Sequence, residues 1–329
     1  MGIFRKLYVL VACALVLLAV TGCHNIKDYN VISNHNQVSF SKSGYISVES
    51  GKLFYQRFGK GDPILVVHGG PGLDQGYLLP QMLELAKDHE VIFYDQRGSG
   101  RSLEASIDLK YIRSDQFAKD LETLRLKLGL KKVALIGHSW GGFLSMSYAI
   151  KYTANVSSLI LVGSVPADYK GQKAFADEFN KRMHSIKHKI DPLFNQKTLS
   201  ALSKEQINDA YRDLFSVYFE KPSNIQKLTL DMSKKSAIGG FKVLSLMLKT
   251  SYFTPDCNLI PALRRLTVPT LIIHGNQDII PIDTAKTIHK VISGSKVVYL
   301  NDCGHFPYIE KPNEFFSSIR SFLSKVEEK

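Results

Sequence analysis

The segment Gly137-His138-Ser139-Trp140-Gly141 follows an unbroken apolar run at 133–136 and opens a helical stretch. A serine bracketed by glycines at that place can be held on a strained strand-to-helix turn that lifts its hydroxyl clear of the backbone. The helix N-terminus behind it favours the negative charge that develops on attack. Serine is a poor nucleophile at its ordinary pKa, so a histidine must take its proton and an acid must orient that histidine. The chain order serine, acid, histidine places both downstream. Asp278 lies in His274-Gly275-Asn276-Gln277-Asp278, just past an apolar run at 270–273, and His305 lies in Asp302-Cys303-Gly304-His305-Phe306-Pro307, just past another at 297–300. Asp283 and Asp302 are the alternative acids, while His274 and His138 are expected to pack rather than titrate.

Attack on a carbonyl creates an oxyanion that needs preorganised donors. One is the backbone N–H of Trp140, the residue after the nucleophile, and the other should come from the loop after the third strand. That loop reads His68-Gly69-Gly70-Pro71-Gly72. It has little side-chain bulk, so its backbone can approach a ligand closely. The Gly70 N–H is the expected donor, with Gly69 the alternate. Neither this loop nor Gly98-Ser99-Gly100 has the G-x-G-x-x-G spacing of a dinucleotide site, and no metal-ligand spacing is evident, so no cofactor or metal is expected.

These residues need a scaffold that delivers them to one edge. Short β-rich runs at 45–48, 52–58, 64–67, 91–94, 133–136, 159–162, 270–273 and 297–300 alternate with amphipathic stretches. Several are continuous Val/Ile/Leu runs, as strands buried on both faces of a parallel sheet require. Phe117, Leu121, Leu124 and Leu128 fall on one helical face after a possible Ser114 cap, and Gly129 closes that helix. Further helices are expected at 78–86, 142–152, 283–291 and 313–326. The repetition predicts an α/β fold with a doubly wound, mostly parallel sheet, its core at 44–165 and 255–329. From 166 to 254 there are helical patterns and no convincing buried strand, which predicts a helical lid inserted at the strand ends.

With 44% hydrophobic and 22% charged residues in 329, the chain is no collagen, coiled coil, disordered polymer or small disulfide scaffold. Its formal charge of +12 suits an acidic surface, but its Lys residues are spread rather than clustered. No nucleic-acid signature appears, and none is expected as a partner. Arg5 and Lys6 precede an apolar run at 7–20 that ends in Thr21-Gly22-Cys23. The run is short for a membrane span and long enough for a signal-peptide core. It resembles a bacterial lipoprotein signal, which implies cleavage after residue 22, lipid on Cys23, membrane anchoring in the cell envelope, and a tether at 23–43, an uncleaved short anchor or a plain secretion signal with an incidental cysteine being the other reading. Cys257 and Cys303 then remain, expected as unpaired, partly buried thiols.

The chain is similar to the α/β-hydrolase fold and, within it, to the proline iminopeptidase group. The matching blocks are His68-Gly69-Gly70-Pro71-Gly72, Asp95-Gln96-Arg97-Gly98-Ser99-Gly100-Arg101-Ser102, Gly137-His138-Ser139-Trp140-Gly141-Gly142, Gly275-Asn276-Gln277-Asp278 and Gly304-His305. The resemblance implies a triad of Ser139, Asp278 and His305, with 95–102 as a structural loop beside the pocket. It also implies a substrate whose free N-terminal amine meets lid carboxylates. Tyr218-Phe219-Glu220 stands where the group has an aromatic residue followed by such a glutamate, so Glu220 is the residue marked for the amine, a solvated helix charge being the other reading. The chain departs from the group in lacking a Trp there and in a lid that is basic from Lys170 through Lys189. The expectation is a serine hydrolase working through an acyl-enzyme, an aminopeptidase on short peptides. A carboxylesterase or other acyl hydrolase is the alternative; an inactive ligand-binding homologue, the third reading, is opposed by the intact Ser139, Asp278 and His305.

Overall fold

The computed structural model describes residues 40–249 and 251–328, so the expected leader, Cys23 and most of the expected tether lie outside the described residues. The apolar runs form one eight-stranded sheet. Its strands are β1 (Phe40–Val48), β2 (Gly51–Phe58), β3 (Pro63–Val67), β4 (Glu90–Tyr94), β5 (Val133–His138), β6 (Val156–Val162), β7 (Thr270–Gly275) and β8 (Lys296–Leu300). Their order is β1-β2-β4-β3-β5-β6-β7-β8, antiparallel from β1 through the β2–β4 pair and parallel from β4 to β8. Every residue of β5 and β7 is buried, as their lack of alternation requires. β1 begins at Phe40, inside the stretch read as tether, where Phe40 packs edge-on against Phe58.

The longer helices are α1 (Ser114–Lys127), α2 (Trp140–Lys151), α3 (Tyr169–Met183), α4 (Lys204–Ser216), α5 (Lys234–Met247), α6 (Asp283–Val291) and α7 (Pro312–Glu327). Arg113, in extended conformation, takes the cap position of α1 and Ser114 is its first helical residue, so the helix starts one residue earlier than the sequence suggested. Helices α3 to α5 form the insertion, and no strand lies between β6 and β7 among the described residues. The insertion leaves and returns through a narrow neck. Asp168 and Asn258 form an antiparallel bridge, the Tyr169 N–H donates to the Cys257 carbonyl, and the Leu259 N–H donates to that of Ala167. Cys257 and Cys303 are unpaired and buried.

Strand order fixes where chemistry can occur. From β3 the chain moves sideways to β4, and from β5 it moves to β6 on the opposite side, so β3 and β5 are neighbours whose connections diverge. A crevice opens at the carboxyl ends of such a pair, and this is where open α/β sheets hold ligands. The loops leaving β3 and β5 are His68 to Gly72 and the Ser139 turn.

The loop after β4 braces this region through a buried ion pair. Arg97 donates Nε–H to Asp120 Oδ2 at 2.8 Å and Nη2–H to Oδ1 at 2.7 Å, with side-chain exposures of 0% and 3%. Removing one partner of a buried pair strands the other charge. Arg97→Met is therefore expected to lower the unfolding free energy by about 3–5 kcal/mol, measured by denaturant titration; an unchanged midpoint would contradict this account of the pair.

Candidate active site

Ser139 sits between the last residue of β5 and the first of α2 with φ 56° and ψ −122°. An L-residue at such angles is strained and persists only where its surroundings dictate it. Here the Ser139 N–H donates to the Val162 carbonyl at 3.0 Å, and the Ser139 carbonyl accepts from the N–H groups of Gly142 and Val165. The motif glycines are needed for closeness: a Cβ on Gly141 would collide with the Val67 carbonyl, and one on Gly137 with the Gly141 carbonyl. Ser139 remains partly exposed.

Asp278 and His305 meet as expected. His305 Nδ1 lies 2.9 Å from Asp278 Oδ1 and 3.0 Å from Oδ2, both side chains almost wholly buried. A carboxylate only accepts, so Nδ1 carries the proton and Nε2 presents its lone pair. Oδ1 also accepts the Ile280 N–H at 2.9 Å. Burial alone would raise the Asp278 pKa; the charge and hydrogen bond of His305, with help from His274 and the Ile280 N–H, outweigh it and hold the carboxyl below its ordinary value. The alternative acids Asp283 and Asp302 do not reach this imidazole. Asp283 pairs with Lys286 at the exposed start of α6, and Asp302 lies exposed on the turn before Cys303. His274 packs, its Nε2–H directed at the Ile280 carbonyl.

Gly163, at the end of β6, makes room for this pair. A Cβ there would lie 2.9 Å from Asp278 Oδ2 and 3.1 Å from His305 Nδ1. The serine turn abuts the same spot, since the ring of His138 lies 4.6 Å from that of His305, tilted by 49°. No hydrogen bond joins the Ser139 hydroxyl to the imidazole among the described residues; such bonds are commonly long without substrate and tighten in the complex.

The two candidate oxyanion donors are distinguished by their partners. The Gly69 N–H donates to the Tyr77 hydroxyl at 2.7 Å and so is already engaged. Neither the Gly70 nor the Trp140 N–H has a hydrogen-bond partner among the described residues, which leaves both available on opposite sides of the crevice. The Tyr77 hydroxyl in turn lies 2.8 Å from His138 Nδ1, and His138 Nε2 lies 2.9 Å from the His305 carbonyl. Only an N–H can face that carbonyl, so Nε2 holds the proton and Nδ1 accepts from Tyr77. Burial, reinforced by the neighbouring His305, pushes the His138 pKa down to about 3 and keeps the ring neutral. A directed chain thus runs from Gly69 through Tyr77 and His138 to the backbone of His305.

A second chain ties the three sequence blocks together. His68 Nδ1–H faces the Gly69 carbonyl and Nε2 accepts the Gln96 N–H at 3.0 Å. Gln96 also donates Nε2–H to the His68 carbonyl at 2.6 Å and accepts from the Trp140 indole at 3.0 Å. Burial holds His68 at about 4, so it too is neutral. The 95–102 loop is structural, as the resemblance implied, and its Gln96 joins the β3 loop to the serine turn.

The lid reaches His305 through the turn after α4. The Tyr218 carbonyl accepts the His305 N–H at 2.8 Å, and its ring lies edge-on to the imidazole at 5.2 Å. The Glu310 carboxylate accepts the Gly304 N–H at 2.7 Å and the Glu220 N–H at 2.9 Å. Glu220 is thus fastened by its backbone near His305, and its own half-buried carboxylate has no hydrogen bond or ion pair among the described residues. Tyr77, Gln96, Gly163 and Glu310 were missed from sequence. Gly163 alone carried a signal, directly after a buried apolar run on the same sheet edge.

Fold and site together define a class. The sequence pattern of the alpha/beta hydrolase fold matches residues 62–312, and the chain belongs to that family and is a hydrolase. Among its relatives, the proline iminopeptidase of Heyndrickxia coagulans is 29% identical over 299 residues, covering 86% of this chain and 99% of that one. The proline iminopeptidase of Saccharolobus solfataricus is 28% identical over 298 residues, covering 87% and 93%. The solved esterase of Exiguobacterium antarcticum shares the fold, with a TM-score of 0.63 at 22% identity over 86% of this chain and all of the other.

Tyr77→Phe leaves the Gly69 N–H and His138 Nδ1 without their partner. It is expected to lower stability by about 1–3 kcal/mol per buried group left unpaired and kcat about tenfold with KM within about twofold. Steady-state kinetics with a thermal melt checks this, and unchanged kcat in the folded variant would contradict a role for the chain in aligning the site.

Proposed function

We propose that the protein is a serine hydrolase that works through an acyl-enzyme at Ser139 and acts as an aminopeptidase of the proline iminopeptidase type on short peptides. The observation that carries the hydrolytic part is the buried, proton-directed Asp278–His305 pair beside a strained, partly exposed serine. His305 Nε2 takes the Ser139 proton as the hydroxyl attacks the scissile carbonyl. The N–H groups of Gly70 and Trp140 meet the oxyanion. The imidazolium, steadied by Asp278, then hands its proton to the leaving amine, and the same base activates the water that frees the acid product.

The peptidase part is supported by the relatives and by the half-buried, unpartnered carboxylate of Glu220, which can offset a substrate ammonium. The basic run of the lid does not oppose this, because Lys170, Lys173, Lys181, Lys187 and Lys189 are all exposed to solvent. Hydrolysis of a prolyl-arylamide and of a short acyl-arylester by the purified protein tests the reading. Turnover of the arylamide is expected, with Ser139→Ala lowering kcat by about 10⁴-fold or more. Glu220→Gln should raise KM for the arylamide roughly tenfold while sparing the ester. Ester turnover with no arylamide turnover would replace the peptidase by a carboxylesterase acting through the same residues.

A further inference from the structure

We propose that Arg182, on the lid helix α3, is a positioning residue for the Asp278–His305 pair. Its guanidinium donates Nη2–H to the carbonyl of Asp278 itself at 2.9 Å and Nη1–H to that of Gln277 at 3.0 Å. Nη1 also reaches the Val217 carbonyl at 3.4 Å, and Nε donates to Glu178 Oε1 at 2.8 Å. One planar group with five fixed donors therefore joins α3, the turn after α4 and the loop that carries the acid.

That turn is the one already fastened to the base. Val217 precedes Tyr218, whose carbonyl accepts the His305 N–H, and Glu310 bridges Gly304 and Glu220 just beyond. The turn from Val217 to Glu220 is thus pinned to the base loop by Tyr218 and Glu310, and to the acid loop by Arg182. The approach of carboxylate to imidazole is set from both sides by a piece of the lid. The two core loops are also joined directly, the Gln277 N–H donating to the Cys303 carbonyl at 2.9 Å and the Cys303 N–H to Gln277 Oε1 at 3.1 Å, and the lid adds a clamp to each of them. A misplacement of about 1 Å in such a site costs up to about 100-fold in rate. The pair between Arg182 and Glu178 is partly exposed, at 24% and 26%, and exposed pairs add little to stability. The effect of losing Arg182 is therefore expected in the chemistry more than in the fold. Lysine, a single point donor, cannot span the three carbonyls.

The proposal rests on reading Ser139, Asp278 and His305 as a triad. The test measures the second-order rate of Ser139 labelling by a fluorophosphonate, together with kcat and KM on whichever arylamide or arylester the wild type turns over. Thermal midpoints confirm folding. Arg182→Ala is expected to slow labelling and kcat by about 10- to 100-fold with KM within about twofold. Arg182→Lys should recover part of the loss. Labelling and kcat at the wild-type level in folded Arg182→Ala would overturn the role of Arg182 while leaving the hydrolase intact. If the alanine variant does not fold, the lysine variant decides: a several-fold loss of kcat supports the proposal and wild-type kcat overturns it. Wild-type protein that the fluorophosphonate does not label at Ser139 would overturn the triad and this proposal with it.

Discussion

A serine held at φ 56° and ψ −122° is the constraint around which the molecule is arranged. Such a conformation costs on the order of 1–3 kcal/mol, and only surroundings that over-determine it can keep it. They do so here by backbone hydrogen bonds to β6 and to the residues just past it, and by the contact of Gly141 with the Val67 carbonyl. The central place of β5 follows from the same need. An edge strand would offer one neighbour to fix the turn; β5 has β3 on one side and β6 on the other. The strained residue, the β3 loop and the end of β6 consequently meet at the one place where the strand connections diverge.

Around that serine three buried imidazoles are told apart by the partners of their ring nitrogens. His68 and His138 are wholly enclosed, kept neutral, and used as rigid connectors with assigned donors and acceptors. His305 differs in having a carboxylate at its Nδ1, which can steady the charge that the proposed mechanism places on the ring. Three imidazoles of the same chemistry thus serve two purposes, and the partner on each ring nitrogen decides which. A buried polar network of this kind specifies one arrangement only when every member is satisfied, and the Gly69, Tyr77 and His138 chain is satisfied along its length.

The strand pattern was legible because a parallel sheet covered on both faces demands continuous apolar runs, and the short runs at 64–67, 133–136 and 270–273 meet that demand. Ser139 and Asp278 were legible because each follows such a run, and His305 because it follows the half-exposed edge strand β8 at the same end of the sheet. The start of β1 was not, since the residues at 41–43 are exposed and polar, and their strand character comes from pairing with β2. Nor were Tyr77, Gln96, Glu310 and Arg182. Tyr77 meets a histidine 61 residues away and Arg182 a carbonyl 96 residues away, so nothing local marks them. The choice between Gly69 and Gly70 depended on a hydroxyl from outside the motif. In the lid, the basic run from Lys170 through Lys189 stood as a departure from the group because sequence does not show which side of a helix faces solvent.

The account stands on Ser139, His305 and Asp278 acting as one unit. Turnover by Ser139→Ala, His305→Ala, Asp278→Ala and the triple variant, each compared with wild type on one substrate, measures that directly. Residues that work together lose their effect together, so the triple variant should turn over within a few-fold of Ser139→Ala alone, at roughly the residual rate left by binding and the oxyanion donors. Losses that multiply across the three substitutions, or a His305→Ala variant as active as wild type, would contradict it.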